Sequence, residues 1–70
     1  MYQLIEVPVS GYCVCHEPDT MESVIESMMQ YASVYDWKGV SSIDIAATLT
    51  SGHPWLKSFG QYVVIIRVVS

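Results

Sequence analysis

Gly60-Gln61-Tyr62-Val63-Val64-Ile65-Ile66-Arg67-Val68-Val69 sets the architecture of this chain. Six of the eight residues from Tyr62 to Val69 are Val or Ile, whose branched Cβ suits a pleated strand and restricts a helix. Tyr62, Val64, Ile66 and Val68 fall on one face, and Val63, Ile65 and Val69 on the other, with Arg67 the only charge. A strand apolar on both sides normally lies mid-sheet with both faces covered. A chain of 70 residues has little material for two covers, since a domain near this size buries only about 60% of its unfolded surface. The mismatch predicts a homodimer, with Val63, Ile65 and Arg67 at the interface.

Composition points the same way. Hydrophobic residues make up 51% of the chain and charged residues only 14%, against roughly 25% charged in ordinary soluble domains. The length fits one domain, residues 1–70. The net charge of −4 is uneven: Glu6, Glu17, Asp19, Glu22, Glu26 and Asp36 precede the first basic residue, Lys38. A nucleic-acid binder needs clustered Lys and Arg to displace counterions from phosphates. With only Lys38, Lys57 and Arg67 available, direct nucleic-acid binding is not expected. An acidic first half suits a basic protein surface.

The opening residues lack a basic n-region, and Gln3, Glu6 and Pro8 interrupt their apolar run, so no secretory leader is expected. The terminal strand is too short to span a bilayer and carries Arg67. Cys13 and Cys15 are too close for a useful staple. A reduced, cytoplasmic protein is expected, without membrane association.

Upstream of the terminal strand, Tyr2 to Val9 reads as a strand with Ile5, Val7 and Val9 on one face and Leu4 and Glu6 on the other. Pro8 cannot donate to a ladder, which suggests an edge or an interruption. Ser10-Gly11 fits either a bulge in one long bent strand continuing through Tyr12 to Cys15, the preferred reading, or a hairpin turn. Asp19 is the expected N-cap of a helix, with Glu22 three places on in a capping box. Met21, Val24, Ile25, Met28, Met29, Ala32 and Tyr35 then form one apolar stripe opposite Glu22, Glu26, Gln30 and Ser33. Lys38 and Gly39 supply the stop.

Val40 to Thr50 is ambiguous. Ser41, Asp44, Gly52 and Pro54 suit a short capped helix, but Ile43, Ile45, Ala47 and Leu49 alternate with more polar neighbours, and the period of two favours a strand. Ser51 to Gln61 reads as a long connection containing Trp55, Leu56 and Phe59. The expected fold is therefore α+β, a small antiparallel β-α-β-β sheet with one amphipathic helix on one face.

The order strand, helix, Asp36-Trp37, strand with Val40-Ser41, loop, then Tyr62-Val63-Val64-Ile65-Ile66-Arg67 resembles the small bacterial β-α-β-β domains of the 4177 family of domains of unknown function. Their pattern has a Gly-Trp pair at the helix end; here Asp36 stands in the Gly position. The resemblance implies the fold and no activity.

Candidate chemistry is sparse. Cys13, Cys15 and His16 gather three soft ligands, with His53 a possible fourth, and make a metal- or redox-responsive module the alternative reading. On a strand, however, the two thiols share one face while His16 points to the other, and the C-x-x-C spacing of zinc sites is absent. No metal, cofactor or catalytic residue is assigned. Nucleophilic catalysis needs a base and an oxyanion site in a pocket, and no phosphate loop or carboxylate pair stands out. The expectation is a small acidic non-enzymatic module that binds or inhibits another protein. Chains of this size and composition are often encoded by phages or mobile elements. Partner contacts are expected from Glu17, Asp19, Glu22 and Glu26 at the helix start and from Trp55, Leu56 and Phe59 in the loop, because Trp is enriched in interface hot spots. The alternative for the loop is that its rings close the end of the sheet.

Overall fold

The computed structural model describes residues 1–69. Its elements run β1 (Tyr2–Pro8), β2 (Val14–Cys15), α1 (Met21–Val34), α2 (Ser42–Thr50), β3 (Trp55–Phe59) and β4 (Tyr62–Val68). The class is α+β, with a four-stranded antiparallel sheet in the order β2-β1-β4-β3. Two helices replace the single expected one, and ββααββ replaces the expected β-α-β-β order.

β4 does lie inside the sheet, paired with β1 along Tyr2↔Val68 to Pro8↔Tyr62 and with β3 along Trp55↔Ile66 to Phe59↔Tyr62. The first segment is a hairpin rather than one long strand. The chain turns back so that Ile5 faces Cys15 and Glu6 faces Val14, and the His16 N–H donates to the Leu4 carbonyl at 3.0 Å. Asp19 exchanges two backbone hydrogen bonds with Tyr2, at 2.8 and 2.9 Å, which fixes the start of α1 beside the start of β1.

α1 is capped one residue later than expected. Thr20 Oγ1 accepts from Ser23 N–H, and Asp19 Oδ1 accepts from Thr20 N–H. Glu22 therefore falls one place short of the capping-box position, where it still complements the helix dipole. At the other end Trp37 N–H returns to the Ala32 carbonyl at 2.9 Å and Asp36 takes φ +57°. This is the left-handed position that helix C-termini normally give to glycine.

The largest correction is Val40 to Thr50, most of which is helix. Ser41 Oγ accepts from Asp44 N–H, a local N-cap. Ile45 and Leu49, one turn apart, are both buried, while Ala46 and Ala47 favour helix. Gly52, at φ +88°, and Pro54 end it. The alternation of Ile43, Ile45, Ala47 and Leu49 also contained an i, i+4 pair, and the cap and alanines decide between the two periods.

Ser51 to Gln61 is likewise not a loop. After the Ser51-Gly52-His53-Pro54 turn, Trp55–Phe59 forms β3, and Gly60-Gln61 closes a two-residue hairpin onto β4. Gly60 has φ +60°, as the first central position of a type II′ turn requires.

Both helices pack on the same side of the sheet. Val24 and Met28 of α1 and Ile45 and Leu49 of α2 meet Leu4, Val64, Ile66, Trp55 and Phe59 in one core. The ladder shows why those strand residues share a face: Leu4, Ile66 and Trp55 stand in one row, as do Glu6, Val64 and Lys57. The Trp55 indole N–H donates to Asp44 Oδ2 at 3.2 Å and ties β3 to the first turn of α2. No helix among the described residues is long and apolar enough to cross a membrane.

Candidate functional site

Alternation of side chains along each strand fixes what stands on the other face. Cys15, Ile5, Ile65 and Leu56 form a row across all four strands. Beside it run Val7, Val63 and Ser58, then Gln3 and Arg67. None of these side chains is fully buried. Ile5, Val7, Val63 and Ile65 are half-buried, shielded only by one another, and Leu56 is 61% exposed.

The charge on this face is one-sided. Its one ionisable strand side chain besides the Cys15 thiol is Arg67, whose Nε and Nη2 donate to Gln3 Oε1 at 3.3 and 3.0 Å. That fork lays the guanidinium along the sheet at the end of the patch. Every strand carboxylate is elsewhere: Glu6, the one acidic residue in a strand, is in the helix-side row.

The residues expected to bind a partner divide sharply. Trp55 and Phe59 are 4% and 8% exposed and belong to the core, so they are not surface anchors. Phe59 stacks on Trp37 with ring centroids 4.6 Å apart, and Trp37 in turn meets Tyr35 at 5.0 Å. Of Trp55, Leu56 and Phe59, Leu56 alone points outward and is exposed. Val63, Ile65 and Arg67 stand on the uncovered face. Glu17, Asp19, Glu22 and Glu26 are all exposed around and along α1.

Ile5 and Val7 complete the apolar face although neither was singled out as an interface residue. Their signal is present in the sequence: they lie on the odd-numbered stripe of β1, opposite Leu4. What the sequence lacked was the register that sets Ile5 against Ile65 and Val7 against Val63.

A second surface lies between the two helices. Met21 and Ile25 of α1 face Ser42, Ile43 and Ala46 of α2 across an open groove of about 510 Å³, with Glu22 on its rim. Ile43 is 80% exposed. The sequence alternation predicts a strand here, whereas the structure places Ile43 on the outer side of α2.

The polar groups pair locally. His16 Nε2 lies 2.8 Å from Glu6 Oε2, and its ring packs on Tyr31 at 5.4 Å. Ser51 Oγ donates to the Thr48 carbonyl at 2.7 Å, which leaves the His53 ring to donate to Ser51 from Nδ1 at 3.1 Å, in an exposed turn. Cys13 and Cys15 are free thiols, both exposed. His16 turns toward Glu6 and α1 while Cys15 stands on the opposite face with Ile5. Among the described residues no three His, Cys, Asp or Glu side chains are placed to hold a metal ion together.

The chain matches no family model, no curated protein and no solved structure.

Proposed function

We propose that this chain is a non-enzymatic interaction module that acts as a homodimer joined through its uncovered sheet face and binds a second protein through its acidic helix layer. One observation carries the reading: the row Cys15, Ile5, Ile65, Leu56, flanked by Val7 and Val63, has no covering layer among the described residues. A sheet face of this composition is stable in water when another sheet packs on it at about 10 Å. A second copy suits it because an apolar patch can meet the same patch across a two-fold axis. The fold is broad and thin, 29 × 23 × 17 Å, so its wide face is on the scale of the ~800 Å² per partner that a standard interface buries.

Pairing the sheet faces turns both helix layers outward. Each carries Glu22 and Glu26 on α1 and Asp44 on α2, the arrangement for meeting a basic protein surface and blocking it. Both thiols are exposed and free, which fits a reducing compartment such as the cytoplasm.

Light scattering across a concentration series tests the dimer. The native chain should show twice the 7.8 kDa mass of one copy. Val63→Lys and Ile65→Lys should shift it to monomer or to aggregates, with helix content kept. A native chain that stays monomeric at millimolar concentration would overturn the reading.

A further inference from the structure

We propose that the groove between α1 and α2 is a docking site for a basic amphipathic helix. The inference rests on the interaction-module reading but not on the dimer. Its walls are one helical turn each: Met21 and Ile25 at i, i+4 on α1, and Ile43 and Ala46 at i, i+3 on α2. Those spacings give each wall one apolar helical face, against which the i, i+3, i+4 apolar anchors of an amphipathic helix can pack. A third helix laid there would widen a layer that now consists of two. It would also cover Ile43, which is otherwise an aliphatic side chain standing in water.

The sign of the occupant follows from the charges around the groove. Glu22 is on the rim and Glu26 follows one turn along α1, whereas Asp44, in the first turn of α2, is turned to the Trp55 indole. Glu17 and Asp19 precede α1 but line a separate recess with Leu4, His16 and Ser23, so they add only to the wider acidic field. The two helix N-termini contribute about half a positive charge each, which these carboxylates exceed. None of the three basic side chains answers them. Lys38 pairs with Asp36 at 2.7 Å, Lys57 donates to the Gly39 carbonyl at 2.9 Å, and Arg67 is on the far face of the sheet. A second copy of this chain is a poor occupant, since at net charge −4 it would bring like charge to the groove. A helix with aliphatic residues on one side and Lys or Arg flanking them is complementary in both shape and charge.

The test uses the full chain, with Ile and Met methyl groups labelled, and a synthetic helical peptide of Leu and Lys in an amphipathic pattern. Two control peptides keep the length: one replaces Leu by Ser, the other replaces Lys by Glu. The Leu–Lys peptide should shift the methyl signals of Met21, Ile25 and Ile43 and leave those of Ile5 and Ile65 in place. Ile43→Lys, a change at an exposed position, should weaken binding about tenfold or more, and so should the double change Glu22→Lys, Glu26→Lys, which also removes the salt dependence. Both controls should bind far more weakly. The same groove shifts should appear when the titration is repeated on the Ile65→Lys variant, so a failure of the dimer and a failure of the groove give different results. Equal binding of the Leu-free peptide, shifts confined to Ile5 and Ile65, or no shifts with the Leu–Lys peptide would each overturn the proposal.

Discussion

Val64 and Ile66 point to one side of β4, and Val63 and Ile65 to the other. The four side chains are of the same kind, adjacent in sequence and held by the same ladder. Two are fully buried beneath α1 and α2, and two have only their neighbours on the sheet. Hydrophobicity alone therefore does not place a residue in the core; a covering layer does, and this chain makes one such layer. The face that lacks it is the one proposed above to pair with a second copy.

The contrast is sharpest in paired truncations. Ile66→Ala removes a fully buried side chain and should cost about 2–5 kcal/mol of stability, seen as a large fall in the denaturant midpoint. That loss should be the same at every protein concentration if the monomer's own core is affected. Ile65→Ala should cost less than about 1 kcal/mol in dilute protein. Its cost should grow as concentration rises if, as proposed, native copies are stabilised by association and the variant is not. If the two variants lose equal stability in dilute protein, the uncovered face already contributes to the fold of one copy and the contrast between the faces fails.

A smaller effect separates local backbone strain from either face. Asp36 ends α1 at φ +57°, where a side chain is disfavoured, and its ion pair with Lys38 is exposed and so of little weight. Asp36→Gly should stabilise the chain by about 0.5–1 kcal/mol, measured as a raised midpoint with no change in association. A destabilised Asp36→Gly variant would show that the carboxylate contributes more at the helix end than the backbone loses there.

How much of this was legible in the sequence depended on whether one local signal was decisive. β4 was, because six branched residues in eight admit few other conformations. α1 was too, and Thr20 took the cap from Asp19 because Asp19's backbone is committed to Tyr2 while its carboxylate accepts from Thr20. α2 is not decisive, because Ile45 and Leu49 satisfy periods of both two and four, and the tie is broken by Ser41 and the paired alanines. The β3–β4 hairpin had a signal that went unused: Gly60-Gln61 between Phe59 and Tyr62 is a two-residue turn flanked by aromatic strand residues. Missing it turned a strand into a loop and made Trp55 and Phe59 look available. The uncovered face itself was legible in β4 alone, as Val63 and Ile65 with nothing assigned to cover them. Its partners Ile5, Val7 and Leu56 needed the pairing of strands far apart in sequence, which no local pattern encodes.

Two modes of self-association remain distinct in the structure: packing of the uncovered faces, and pairing of the free edge of β3, whose outer backbone groups lack backbone partners among the described residues. Filtered nuclear Overhauser measurements on an equal mixture of methyl-labelled and unlabelled copies tell them apart directly. The account predicts contacts between copies at the methyl groups of Ile5, Val7, Val63 and Ile65. Contacts confined to Trp55–Phe59 along the β3 edge, or none at millimolar concentration, would contradict it.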